Sequence, residues 1–143
     1  MRTRAILLGS FVVLLLSVVT AAARASDQAA VDDATKAADR WLKLVDAGDY
    51  KQSWETASSL FKNAVTADQW AQQVGSARKP LGALVSRKLK SAQYATSLPG
   101  APEGKYVVIQ YDGVFQNKSA AIETVTPMLD KDGQWCVSGY YIR

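Results

Sequence analysis

Histidine is missing from this 143-residue chain, and cysteine occurs once, at Cys136. The absence of imidazole excludes Ser-His-Asp and Cys-His nucleophilic systems and histidine-ligated zinc, and it removes the side chain that most often serves as a base near neutral pH. One thiol completes neither a structural zinc site nor an internal disulfide, so burial has to hold the fold. Cys136 lies between Trp135 and Val137 in a strand-like segment, where a half-buried small hydrophobe is favoured over a reactive thiol or an intermolecular bridge. No nucleotide-binding or metal-binding motif stands out, and no cofactor is expected. Asp130-Lys131-Asp132-Gly133 echoes the start of a calcium loop but lacks the later ligands, so it reads as a hairpin turn.

A surplus of one charge sign is lacking too, once the N-terminus is set apart. The formal charge of +4 includes Arg2, Arg4 and Arg24, and the chain from Ser26 onward carries 14 Lys and Arg against 13 Asp and Glu. Such a balance offers no electrostatic footprint for nucleic acid. The cluster Arg87-Lys88-Leu89-Lys90 reads as the solvated face of a strand. What the N-terminus does have is a basic start, a charge-free stretch from Ala5 to Ala23 interrupted by Gly9, Ser10 and Ser17, and the small-residue site Ala23-Arg24-Ala25. That order of charge, apolar segment and peptidase site describes an export signal over residues 1–25. The expectation is cleavage near Ala25 and a periplasmic or secreted product, residues 26–143, forming a single domain. An uncleaved leader would be its only membrane contact.

Beyond Val31, apolar residues recur at helical spacing through Ala34, Ala38, Trp41, Leu42 and Val45, and Gly48 offers a left-handed stop. Asp49-Tyr50-Lys51-Gln52 and Thr66-Ala67-Asp68-Gln69 have the spacing of capping boxes, opening a short second helix and a third that Pro80 ends. After Pro80 the texture turns to runs of β-formers divided by turn residues. Strands are predicted from Gly82 to about Thr96, Tyr106 to Phe115, Ser119 to Leu129 and Trp135 to Ile142. The fold class that follows is α+β: three N-terminal helices packed on a curved four-stranded antiparallel sheet.

This order of elements resembles the nuclear transport factor 2-like, or cystatin-like, cone. Trp41-Leu42-x-Leu44-Val45-Asp46-x-Gly48-x-Tyr50, Arg78-Lys79-Pro80-Leu81-Gly82, Leu98-Pro99-Gly100-Ala101-Pro102, Glu123-Thr124-Val125 and Gly139-Tyr140-Tyr141-Ile142-Arg143 are, taken in order, similar to an exported bacterial family, the domain of unknown function numbered 4019. The chain departs from the family at Cys136, where a basic residue is expected. The resemblance implies fold and compartment, and no activity. Some members of the wider cone fold pair an Asp base with a tyrosine donor, and the corresponding pieces here are Asp112, Glu123, Tyr111 and Tyr140.

Strand parity sorts those pieces. A tight turn at Asp132-Gly133 puts Glu123 and Val125 on one face with Cys136, Tyr140 and Ile142, and turns Trp135, Val137 and Tyr141 away. A bulge at Gly139 would invert this. In the second strand Tyr111 falls with Val107, Ile109 and Phe115 on the core side, and Asp112 faces outward. The leading expectation is a non-catalytic binding module. It takes a small apolar or amphipathic ligand between helices and sheet, with Tyr50, Trp54 and Tyr111 as candidate contacts, or an envelope protein on the outer sheet face. A cone-type lyase or isomerase, with Glu123 as base and Tyr140 or Tyr111 as donor, is the first alternative, and a homodimer joined through the sheet is the second.

Overall fold

The computed structural model describes residues 11–143, with side chains from residue 22 onward, so the first part of the expected leader lies outside the described residues. The element order is α1 (Phe11–Asp46), α2 (Tyr50–Glu55), α3 (Ser59–Ala64), α4 (Ala67–Arg78), a 3-10 turn (Lys79–Leu81), β1 (Leu84–Ala95), β2 (Tyr106–Phe115), β3 (Lys118–Leu129) and β4 (Trp135–Ile142). The strands form one antiparallel meander in the order β1-β2-β3-β4, and the α+β class holds. Among the described residues four α-helices stand where three are expected.

The extra helix and the length of α1 can each be traced to particular residues. Ser58 is extended, and its hydroxyl accepts from the Phe61 N–H, which opens α3 between the short second helix and the Thr66 box, where no element is predicted. The segment from Ser26 to Val31, ahead of the apolar stripe, is helical too, because α1 runs 36 residues without a break. Its side chains from Ala22 to Ala29 are exposed, and packing on the core begins with Val31 and Ala34. Among the described residues no helix is long and apolar enough to cross a membrane.

The predicted stop of α1 and the predicted starts of α2 and α4 lie where the sequence puts them. Gly48 takes φ +76, and the Asp49 N–H reaches back to the Leu44 carbonyl, while the Asp49 carboxylate caps α2 through the Gln52 N–H. At α4 the capping box is complete, Thr66 and Gln69 each satisfying the other's backbone N–H. Proline does not break the chain as sharply as expected. Lys79 keeps right-handed helical geometry, because Pro80 falls inside the first positions of a 3-10 turn that accommodates its fixed φ.

The helices cover one face of the sheet, and aromatic rings fill the layer between. Trp41 and Trp70 lie 5.6 Å apart, the edge of Phe61 meets Trp70 at 5.0 Å, and Tyr140 contacts both tryptophans. The indole N–H groups need acceptors in this dry layer, and Ser53 supplies two of them: its carbonyl accepts from Trp41 at 2.7 Å and its hydroxyl from Trp70 at 2.9 Å. Ser53 is fully buried. The Trp54 indole donates instead to the Val65 carbonyl, tying α2 to the chain before α4.

One register shift corrects the sequence reading of β4. Thr126 faces Gly139 while the next residue, Pro127, faces Val137, so Ser138 is the extra residue of a bulge, and its hydroxyl bonds the Thr126 carbonyl. The parity flips there. Val137 enters the core and Trp135 packs against it, contrary to expectation, whereas Cys136 pairs with Met128 on the opposite face. Tyr140, beyond the bulge, stays beside Val125 and on the side of Glu123, as expected.

Replacing Ser53 by alanine leaves the buried Trp70 N–H without its acceptor. The expected cost is about 1–3 kcal/mol. Urea unfolding checks it: the midpoint falls with no change in slope, and a Trp70→Phe substitution made in the Ser53→Ala background costs less than the same substitution made alone.

Candidate functional site

The chemically richest cluster lies under the sheet, between the end of α1, the end of α4 and the first half of β1. Asp46 is the last residue of α1, Arg78 the last of α4, and Arg87, Glu123 and Tyr140 project from β1, β3 and β4. Glu123 has no exposed surface, and the side chains of Arg78, Arg87 and Asp46 are 7 %, 13 % and 20 % exposed. The Arg87 guanidinium donates through Nε to Glu123 Oε1 at 2.8 Å and through both terminal nitrogens to the Asp46 carboxylate at 2.7 and 2.8 Å. Arg78 donates to Asp46 Oδ1 at 2.6 Å and to Glu123 Oε2 at 3.2 Å, and its guanidinium lies 4.7 Å over the Phe115 ring. Tyr140 donates its hydroxyl proton to Glu123 Oε2 at 2.7 Å and accepts from Arg78 at 3.1 Å.

Two guanidiniums and two carboxylates thus close a ring without net charge. Its burial separates it energetically from the surface pairs. Lys36–Asp33 and Lys51–Glu55 are solvated and worth little, whereas removing one partner of a buried pair strands an ion and costs several kcal/mol. Among the described residues every buried side-chain nitrogen and oxygen has a partner. Burial alone would raise the Asp46 carboxyl, but the hydrogen bonds from Arg87 and Arg78 outweigh it and hold the group below the usual carboxylate range. Burial, then the charge of Glu123, pushes the Tyr140 phenol well above its ordinary value. Gly113, the β2 partner of Arg87, keeps the ring space open: a Cβ there would lie 3.1 Å from the Phe115 ring and 3.5 Å from Glu123 Oε1.

This geometry answers the sequence expectations residue by residue. Glu123 and Tyr140 are brought together, but the carboxylate a base would use is already committed to two arginines. Tyr111 is the cross-strand partner of Glu123, yet its hydroxyl turns to Asp39 on α1 at 2.7 Å. Burial and that aspartate push its phenol up. The three candidate ligand contacts do not converge. Tyr50 lines a depression of about 430 Å³ with Val45, Gly75, Arg78 and Leu84, Trp54 is engaged at Val65, and Tyr111 is buried under α1. Asp112 faces outward and pairs with Lys90, as parity requires. Asp130 and Asp132 serve the hairpin: Asp130 accepts from the N–H and hydroxyl of Ser59 at 2.6 and 2.7 Å, and Asp132 from the Gln134 N–H.

Sequence reasoning missed the arginines. The run Arg87-Lys88-Leu89-Lys90 suggests a solvated face, but the alternation that sends Lys88 outward sends Arg87 in. A signal for the rest was present, since Asp46, Arg78, Glu123 and Tyr140 each lie in one of the segments that carry the family resemblance. The profile of a family described as protein of unknown function (DUF4019) matches residues 37–140, from within α1 to Tyr140. The chain belongs to this family. No curated protein and no solved structure matches it. The matched stretch of this DUF4019 chain contains every member of the ring.

Glu123→Gln keeps the shape and removes one charge, leaving two guanidiniums against one carboxylate. The expected loss is about 3–5 kcal/mol by chemical denaturation. Acid supplies a second check. A carboxyl whose folded pKa is depressed contributes stability in full above its unfolded value of about 3.9 and loses it as pH falls through the folded value. Asp46→Asn should therefore be less stable than the wild type at neutral pH and lose less stability between about pH 4 and pH 2, as thermal melts across that range would show.

Proposed function

We propose that this protein is an exported, non-catalytic binding domain of the nuclear transport factor 2-like cone type, and that it meets its ligand or partner on the outer face of the sheet. The observation that carries this reading is the state of Glu123. A general base must be free to take a proton, and this carboxylate has both oxygens engaged by Arg78, Arg87 and Tyr140 in a buried ring. Tyr111 is likewise held by Asp39, away from Glu123. The layer between helices and sheet, where a cone-type ligand would lodge, is occupied by Trp41, Trp70, Phe61 and Tyr140.

The outer face supplies what the interior lacks. Register places Gln110, Thr124 and Tyr141 in one row across β2, β3 and β4, with Tyr141 62 % exposed. Export is supported by the leader pattern and by α1 itself. The described side chains on both sides of Ala25 are exposed, so cleavage there removes none of the described side chains that pack on the core.

Fractionation of the native host, followed by N-terminal sequencing, tests export: the protein should appear outside the cytosol with Ser26 as its first residue, and a cytosolic protein retaining Met1 would refute it. Native mass spectrometry of the protein purified from its own envelope fraction, combined with amide chemical-shift mapping of any co-purifying species, tests the binding face. Shifts should gather on Thr124, Ile122 and Tyr141. Shifts gathered around Tyr50 and Gly75 would move the site to the helix side.

A further inference from the structure

On the outer sheet face, near the β2–β3 turn, the register places Lys88, Asp112 and Ile122 in one row across β1, β2 and β3, and paired backbone bonds to Ile122 add Arg143, the residue after β4. Neighbouring strands lie about 4.8 Å apart, so the two cations at the ends of this row are separated by roughly 14 Å of backbone. Between them lies a depression of about 560 Å³, with Val114 and Ile122 in its wall and Lys90 and Lys118 joining the cationic rim. That volume falls in the range of small-ligand sites.

The balance of charge at the two ends of the sheet core differs. Under the sheet each guanidinium is matched by a carboxylate. Above it, among the described residues, Asp112 pairs with Lys90 at 3.0 Å, while Lys88, Lys118 and Arg143 have no carboxylate partner. Even with the backbone carboxylate that a chain ending at Arg143 carries, the rim keeps a positive excess around an apolar floor. A purely apolar ligand would leave those cations unanswered, and a bare anion would leave Val114 and Ile122 uncovered. A second copy of the same face would set like charges against each other, which costs affinity.

Building on the outer-face reading above, we propose that this depression binds a single-chain amphipathic anion, its carboxylate or phosphate head between Lys88, Lys118 and Arg143 and its apolar body over Val114 and Ile122. The lysine stems add apolar cover while their ammonium groups meet the head.

Amide chemical shifts of the full mature chain, recorded against octanoate, acetate and octanol, separate the parts of this claim. Octanoate below its micelle concentration should give saturable shifts at Val114, Lys118 and Ile122. Acetate, the head alone, and octanol, the tail alone, should each bind at least tenfold more weakly. Lys88→Glu with Lys118→Glu should weaken octanoate at least tenfold, with circular dichroism unchanged. Equal binding of acetate would reduce the site to an adventitious anion contact, and equal binding of octanol would remove the role of charge; either overturns the proposal. So would sedimentation with phosphatidylglycerol vesicles without any octanoate shift, which would make the face a membrane contact. A native partner that maps to Tyr141 and Thr124 while octanoate gives no shift would sink this ligand class and leave the outer-face reading intact.

Discussion

Arg78 and Arg87 enter the protein interior from opposite directions, one from the end of a helix and one from an edge strand, and each must find a carboxylate there. A guanidinium cannot shed its charge on burial as a lysine or a carboxyl can, so the surrounding structure has to answer it. Asp46 and Glu123 do so, and in doing so they join the ends of α1 and α4 to β1 and β3. The aromatic layer is non-directional and holds the helices to the sheet by burial; the ring fixes where along the sheet those helices end. Tyr140 belongs to both, touching Trp41 and Trp70 with its ring and Glu123 with its hydroxyl.

Much of the architecture was legible in the sequence because turn chemistry and capping are local. Gly48 and the Thr66–Gln69 box mark their positions without help from the rest of the chain, and the expected limits of β2 and β4 agree with those observed. What was hidden depends on distant partners. Ser58 opens α3 where its own N–H can reach the Val137 carbonyl and where the next N–H, of Ser59, meets Asp130, 71 residues beyond it. The Ser138 bulge shows itself only once β3 is alongside. The turn before it is wider than the tight one expected, Leu129 facing Trp135 across residues 130–134, which reverses the faces of Trp135, Cys136 and Val137; the bulge then returns Tyr140 to the expected side.

The candidate site was half visible for a related reason. Parity alone brought Glu123 and Tyr140 together, since both belong to one hairpin. The two arginines that turn this pair from a plausible acid–base couple into a structural lock come from other elements, and Arg87 sits in a run that looks uniformly wet. Electrostatics then divides the sheet into two faces with different work. The inner face spends its charges on each other, and the outer face, with Lys88, Lys118 and Tyr141 exposed or partly so, keeps polar and cationic groups available to something else.

The most direct measurement is a double-mutant cycle on Glu123→Gln and Arg78→Met by equilibrium unfolding. If the ring is the lock described here, the second change costs much less once the first is made, because it removes one of two guanidiniums left against a single carboxylate, and the coupling exceeds about 1 kcal/mol. Costs that simply add would mean that the two side chains do not depend on each other, and the account would fail.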